Sequence, residues 1–141
     1  MKDGDDWVIN GGKIFISGAD KADYGIVFAR TDSSKGREGI TCFLVDADAP
    51  GFHVRRVVHT LRSTSYATEL QFDNLRVSAA NVLGEVNRGF GIANDRLSRQ
   101  RIPYAAGCIG VAVKAQEMAI SYANQRRPSE TSWLPARRSS G

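Results

Sequence analysis

Over the first eighty residues apolar and polar positions come in short runs broken by turn residues, which is the pattern of β-strands. Trp7-Val8-Ile9 and Lys13-Ile14-Phe15-Ile16-Ser17 are β-rich runs on either side of Asn10-Gly11-Gly12. An Asn-Gly pair suits the positive φ angles of a tight turn, so a hairpin is expected there. Tyr24 to Ala29 and Ile40 to Val45 are short apolar runs bounded by Gly, Asp and Pro, as in strands covered on both faces, and TDSSKGREG between them reads as a polar loop. After the Pro50-Gly51 turn, FHVRRVV and TELQFDNLRV alternate apolar with polar, as strands with one wet face do. Five or six closely spaced strands predict a sandwich or barrel.

The period then changes. From Phe90 to about Arg126, Ile92, Ala93, Leu97, Tyr104, Ala105, Ile109, Val113, Met118 and Tyr122 recur at helical spacing and share a broad face. Asn87 and Gly89 supply a start signal, and Pro103 should kink or split the helix by removing a backbone donor. The fold class is therefore α+β, a barrel- or sandwich-like β unit followed by a long α-helix. Such an apolar helix needs more to pack against than the β unit provides, so further chain is expected around it.

Composition narrows the classes. The 141 residues are 42% hydrophobic, which excludes a disordered chain, and no apolar run approaches the ~20 residues of a membrane span. The opening MKDGDDW is acidic where a secretion signal would be basic. Cys42 and Cys108 are too few and too distant for a disulfide scaffold or a metal knuckle. The net charge of +4 hints at nucleic acid, but residues 1–125 carry 15 Lys and Arg against 14 Asp and Glu, while residues 126–141 carry four Arg against Glu130. The excess belongs to a short tail and lacks aromatic interleaving, so nucleic acid is not an expected partner.

The residues alone offer little catalytic chemistry. His53 and His59 are expected to face solvent, with no third zinc ligand at a sensible spacing. Both cysteines sit in apolar contexts, TCF and GCIG, that favour a buried, inert thiol. Neither a nucleophile elbow nor a phosphate-cradling Gly loop is present.

The string WVINGGKIFISGADKADYGIVFARTD, followed by GITCFLVDADAPGF, TELQFDNLRV, NVLGEVNRGF and RIPYAAGCIGVAVKAQEMAISYANQR, closely resembles the acyl-CoA dehydrogenases over residues 3–126, in order and spacing. The resemblance implies that residues 1–84 are part of the family's middle β domain, that residues 85–126 are the first helix of its C-terminal helical bundle, and that 127–141 is a non-family tail. It implies an internal slice of an FAD enzyme that converts an acyl-CoA thioester to the 2-enoyl-CoA. A glutamate base takes the α-proton and the flavin takes the β-hydrogen as hydride. It further implies a homo-oligomer, electron-transfer flavoprotein as electron acceptor, and a cytoplasmic location, or the mitochondrial matrix in a eukaryote.

Residue by residue, Phe15 stands where the family commonly has a flavin-side Trp, Ser17 where it has a Thr whose hydroxyl reaches the flavin, and Ile16 lies between them. Arg126 matches an arginine that reaches FAD, a fixed charge suited to a pyrophosphate. Arg37 falls where the family touches the CoA nucleotide, and Ser98, Arg99, Gln100 and Arg101 fall on the helix segment lining the acyl-CoA pocket. Each also has a plainer reading, as a strand face, a solvated loop charge or a helix-surface residue. Gln100 occupies a position that holds the catalytic glutamate in some members, but a neutral amide cannot accept a proton. No catalytic residue is therefore assigned, and the isolated chain is expected to be inactive.

After YANQR the family text continues as something like QTFG, where this chain reads RPSETSWLPARRSSG. Back-translation of that tail can give QTFGDVVAARQAIQW one base out of frame. A shifted reading frame and a natural disordered tail are the two explanations, and the gene sequence distinguishes them. Two alternatives to the dehydrogenase reading stand beside it: an acyl-CoA oxidase or flavin monooxygenase of the same fold, and a noncatalytic β module that associates through its exposed helix.

Overall fold

The computed structural model describes residues 1–61 and 67–126. The tail from Arg127 to Gly141 lies outside the described residues, and so does any structural reading of it. Strands β1 (Lys2–Asp3), β2 (Asp6–Ser17), β5 (Phe52–Val58) and β6 (Ala67–Ser78) form an antiparallel sheet in the order β1-β2-β6-β5. Strands β3 (Tyr24–Arg30) and β4 (Ile40–Asp46) form a second, two-stranded antiparallel sheet. A 3-10 segment, Ser33–Gly39, joins β3 to β4, and helix α1 runs from Gly89 to Gln125. Two compact units divide between Asp95 and Arg96, inside α1.

The inner faces of the two sheets make the core of the first unit. Trp7 and Ile9 from β2, Val27 from β3, Phe43 and Val45 from β4, and Leu70, Phe72, Leu75 and Val77 from β6 are buried together. The Trp7 and Phe43 rings meet edge to face at 5.7 Å between centroids, and Phe52 tilts over Phe72 at 5.5 Å. Each such side chain contributes about 1.5–3 kcal/mol when taken from water, so this cluster dominates the stability of the unit. The sandwich-like α+β expectation is met.

The expected hairpin at Asn10-Gly11 does not form. β2 runs through it unbroken because its partner is β6, whose backbone lies alongside from Ser78 to Ala67. The register instead slips between Ile9 and Gly11, where Leu75 and Phe72 are their opposite residues, so β6 carries one extra residue there. That bulge explains why the buried positions of β6 change parity from Leu70 and Phe72 to Leu75 and Val77. Asn74 adopts φ 48° in it, a left-handed conformation that Asn tolerates. The Asn10 and Asn74 amides lock the site: Asn10 Nδ2 donates to Asn74 Oδ1 at 3.2 Å, and the Asn74 backbone N–H donates to Asn10 Oδ1 at 2.8 Å.

Three other expectations are corrected. β4 is buried along most of its length, but β3 is not covered on both faces, since Tyr24 and Ile26 are exposed. Pro103 sits inside α1 without splitting it, because several hydrogen-bonded turns on each side carry the helix across one missing donor. Cys42 is buried, and burial pushes its thiol pKa up, whereas Cys108 is exposed on α1 and is not a core thiol. The apolar residues of α1 from Leu97 to Tyr122 are also exposed, and Val111 and Val113, two positions apart, face different ways.

The first turn of α1 is fastened to β4. The Thr31 hydroxyl donates to Asn87 Oδ1 at 2.6 Å and lies 2.7 Å from the Thr41 hydroxyl, whose oxygen accepts the Asn87 backbone N–H at 2.8 Å. Gly89 lies so close to β4 that a Cβ there would come within 2.6 Å of the Cys42 nitrogen.

Candidate functional site

The outer half of β2 departs from its ladder once more. Lys13 pairs with Leu70, but three residues later Ile16 pairs with Thr68, so β2 holds one extra residue opposite Glu69. Phe15 absorbs it at φ 61°. A left-handed conformation costs an aromatic residue roughly 1–2 kcal/mol, and such strain collects at functional sites. The bulge turns Phe15 outward, 62% exposed, between the exposed Ile14 and Ile16, with exposed Ser17 ending the strand. The sequence-derived candidates Phe15, Ile16 and Ser17 are therefore all exposed at this end of β2.

The opposite strand braces this end of β2. Thr68 is completely buried and its hydroxyl donates to the Ile16 carbonyl at 2.8 Å. On the other edge of β6, β5 is also bulged: Val54 pairs with Leu70 and Arg56 with Glu69. The extra residue lets two consecutive arginines reach one carboxylate, Arg55 Nη1 at 3.2 Å and Arg56 Nε at 2.5 Å from Glu69. The Arg56 hydrogen bond, outweighing partial desolvation and reinforced by the charges of both arginines, holds the Glu69 carboxyl below its usual pKa.

Arg37 lies in the Ser33–Gly39 segment, its guanidinium 5.7 Å from the centre of the Phe90 ring. The segment is shaped by Asp32, which accepts from the Ser34 backbone N–H at 3.0 Å and hydroxyl at 2.6 Å and pairs with Lys35 at 3.2 Å. These contacts hold the Asp32 carboxyl below its ordinary pKa, the Ser34 hydroxyl having the largest effect. Arg30 donates to the Gly36 carbonyl at 2.8 Å, and the Arg37 guanidinium stacks on the Phe90 ring.

The remaining candidates belong to the unit beginning at Arg96. Ser98, Arg99, Gln100 and Arg101 are consecutive on α1, so they radiate about 100° apart and cannot all line one surface. Ser98 and Arg101, three apart, share a side. Gln100 is half-buried and the other three are exposed. Arg126 donates to the Tyr122 hydroxyl at 2.7 Å and lies over its ring at 5.7 Å.

Sequence reading missed a cleft of about 740 Å³ between the inner half of β2 and β3, lined by Trp7, Ile9, Lys13, Val27, Phe43 and Phe72 among others. None of the sequence-derived candidates lines it. Its walls combine core residues such as Trp7, Val27 and Phe72 with exposed ones such as Lys2, Asn10 and Lys13 that lie far apart along the chain, and no local pattern announces it. Among the described residues no His, Cys, Asp and Glu group could hold a metal ion, and no helix is long and apolar enough to cross a membrane.

The bulged end of β2 thus presents an exposed aromatic face with a hydroxyl two residues on. Comparison with known proteins identifies the family. A family model described as acyl-CoA dehydrogenase, middle domain, matches residues 1–75. An acyl-CoA dehydrogenase of Bacillus subtilis is 44% identical over 121 residues, 85% of this chain and 32% of the relative. A 3-(aryl)acrylate reductase of Clostridium sporogenes is 39% identical over 127 residues, 89% of this chain and 34% of the relative. The structure of butyryl-CoA dehydrogenase from Megasphaera elsdenii superposes with a TM-score of 0.83 at 40% identity, over 94% of this chain and 35% of that one. The chain belongs to the acyl-CoA dehydrogenase family, a family of oxidoreductases, and spans about a third of the length of these relatives.

Proposed function

We propose that the chain supplies part of the flavin and acyl-CoA sites of an FAD-dependent acyl-CoA dehydrogenase that converts an acyl-CoA thioester to the 2-enoyl-CoA. The observation that carries this reading is the bulged end of β2, where Phe15 holds φ 61° while presented to solvent. A flavin suits that end of the strand: Phe15 offers an aromatic face, Ile16 an apolar flank and Ser17 a hydroxyl donor. When bound, FAD supplies the hydride-accepting chemistry. Phe15 and Ile16 shield one apolar side from water, Ser17 donates a hydrogen bond, and Arg126 offers fixed positive charge to a pyrophosphate.

On the substrate side, Arg37 offers a guanidinium to the CoA nucleotide, and Arg101 with Ser98 offers a polar side of α1 to the acyl-CoA. Gln100 holds no proton-accepting carboxylate, so the α-proton must go to a base carried by another part of the full-length enzyme. Residues 1–84 then act as part of the middle β domain and 85–126 as the first helix of a helical bundle. Electron-transfer flavoprotein is the acceptor we assign, and the working form is a homo-oligomer. Anaerobic mixing of the gene's full-length product with FAD and short-chain acyl-CoA tests the reading. Bleaching of the flavin absorbance with 2-enoyl-CoA detected by mass spectrometry is the expected result, and an unchanged spectrum with intact acyl-CoA refutes it. The purified 141-residue chain is expected to give neither bleaching nor 2-enoyl-CoA.

A further inference from the structure

The two bulges that flank Glu69 are an unusual pairing. β2 gains a residue between Lys13 and Ile16, β5 gains one between Val54 and Arg56, and both slips fall on the same short stretch of β6, Thr68 to Leu70. An interrupted ladder leaves backbone groups that the strand partner no longer serves, and a buried carbonyl without a donor is costly. Thr68 answers that need on the β2 side, with its single hydroxyl proton given to the Ile16 carbonyl at 2.8 Å. Thr68 also pairs in register with both Ile16 on β2 and Val57 on β5, so it sits where the ladder resumes on each edge. It has no exposed surface, so it can act on a ligand only through the Ile16 backbone that it holds. Its role is to hold the residue that follows the strain.

We infer that Thr68 is a positioning residue that locks the β2 bulge and thereby fixes the left-handed Phe15 and the Ser17 hydroxyl for the flavin. This rests on the flavin reading above. The Ile16 carbonyl is the hinge point: anchored, it forces the extra residue to be taken up at Phe15; released, Phe15 relaxes toward the extended conformation that an aromatic residue prefers and the ring swings away. Glu69 acts beside it, because the paired arginines restrain the matching bulge on β5.

Thr68→Val removes the hydroxyl at nearly constant shape, Thr68→Ser keeps it, and Thr68→Cys keeps the size with a weaker donor. In the 141-residue chain, Phe15 Cα and Cβ chemical shifts should report a left-handed residue, should move to extended values in Thr68→Val, and should return in Thr68→Ser. FAD affinity by flavin fluorescence should fall about tenfold or more in Thr68→Val, the size expected for one lost buried hydrogen bond. The visible flavin band should shift toward that of free FAD, and Thr68→Ser should restore both. Should Thr68→Val not fold, Thr68→Cys must show the same changes in smaller degree. Unchanged Phe15 shifts in folded Thr68→Val or Thr68→Cys overturn the inference. Failure of the gene's full-length product to bind FAD while the Phe15 shifts of the 141-residue chain respond overturns the flavin reading and leaves the lock supported.

Discussion

Replacing Gly89 by alanine adds one methyl group where the first turn of α1 meets β4. That Cβ would lie 2.6 Å from the Cys42 nitrogen, 2.7 Å from the Thr41 carbonyl carbon and 3.1 Å from the Ile40 oxygen. These are backbone atoms of a buried strand, so no side chain can swing aside, and the helix start must retreat by roughly half an ångström or more. The retreat also stretches the Asn87 bond to the Thr41 hydroxyl, now 2.8 Å. Overpacking of this kind costs about 1–3 kcal/mol, offset by at most ~1 kcal/mol of better helix propensity. A net loss of about 1–2 kcal/mol lowers the melting temperature by roughly 5–10 °C in a domain of this size. Gly107 and Gly110 are the controls, since a Cβ at either meets nothing within 4 Å, and alanine there should stabilise the helix by up to ~1 kcal/mol. Urea unfolding followed by circular dichroism measures all three. If Gly89→Ala unfolds at the same urea concentration as the unaltered chain, the close approach of α1 to β4 is wrong.

Acid should weaken the sheet through Glu69. Its pKa is lowered in the fold, so its contribution is fully present above the unfolded value near pH ~4.3 and is lost as pH falls through the folded value. Urea midpoints measured from about pH 6 to about pH 3 should drop less steeply in Glu69→Gln than in the unaltered chain. At the inner bulge, Asn74→Ala should cost about 1–2 kcal/mol, because it forfeits the bond that Asn10 Nδ2 donates to Asn74 Oδ1 and strains a residue at φ 48°. Asn74→Gly should cost less, since glycine accepts that φ; urea midpoints of the two variants measure the difference.

The strand and helix content could be read from the sequence because period-2 and helical spacing are local. The bulges are not local. Asn10-Gly11 has the chemistry of a hairpin turn, and only the presence of β6 as a partner decides that β2 continues. One signal was available: Phe72 and Leu75 are both apolar but out of step, which an unbroken strand cannot bury on one face. The flavin-side candidates were found by resemblance, whereas the reason they are presented, Phe15 in a left-handed bulge braced by Thr68, depends on long-range pairing that no pattern of residues displays. Cys108 was misread for the complementary reason: apolar neighbours along α1 show what the helix would bury, not what lies against it.

The central claim is that strain at Phe15 serves flavin binding, and Phe15→Gly tests it in one variant with two readouts. Glycine takes φ 61° without penalty, so thermal unfolding should show the variant at least as stable as the unaltered chain, by up to about 1–2 kcal/mol. A titration with FAD should show its affinity reduced at least tenfold, because the exposed aromatic face is gone. A variant that binds FAD as tightly as the unaltered chain would contradict the account.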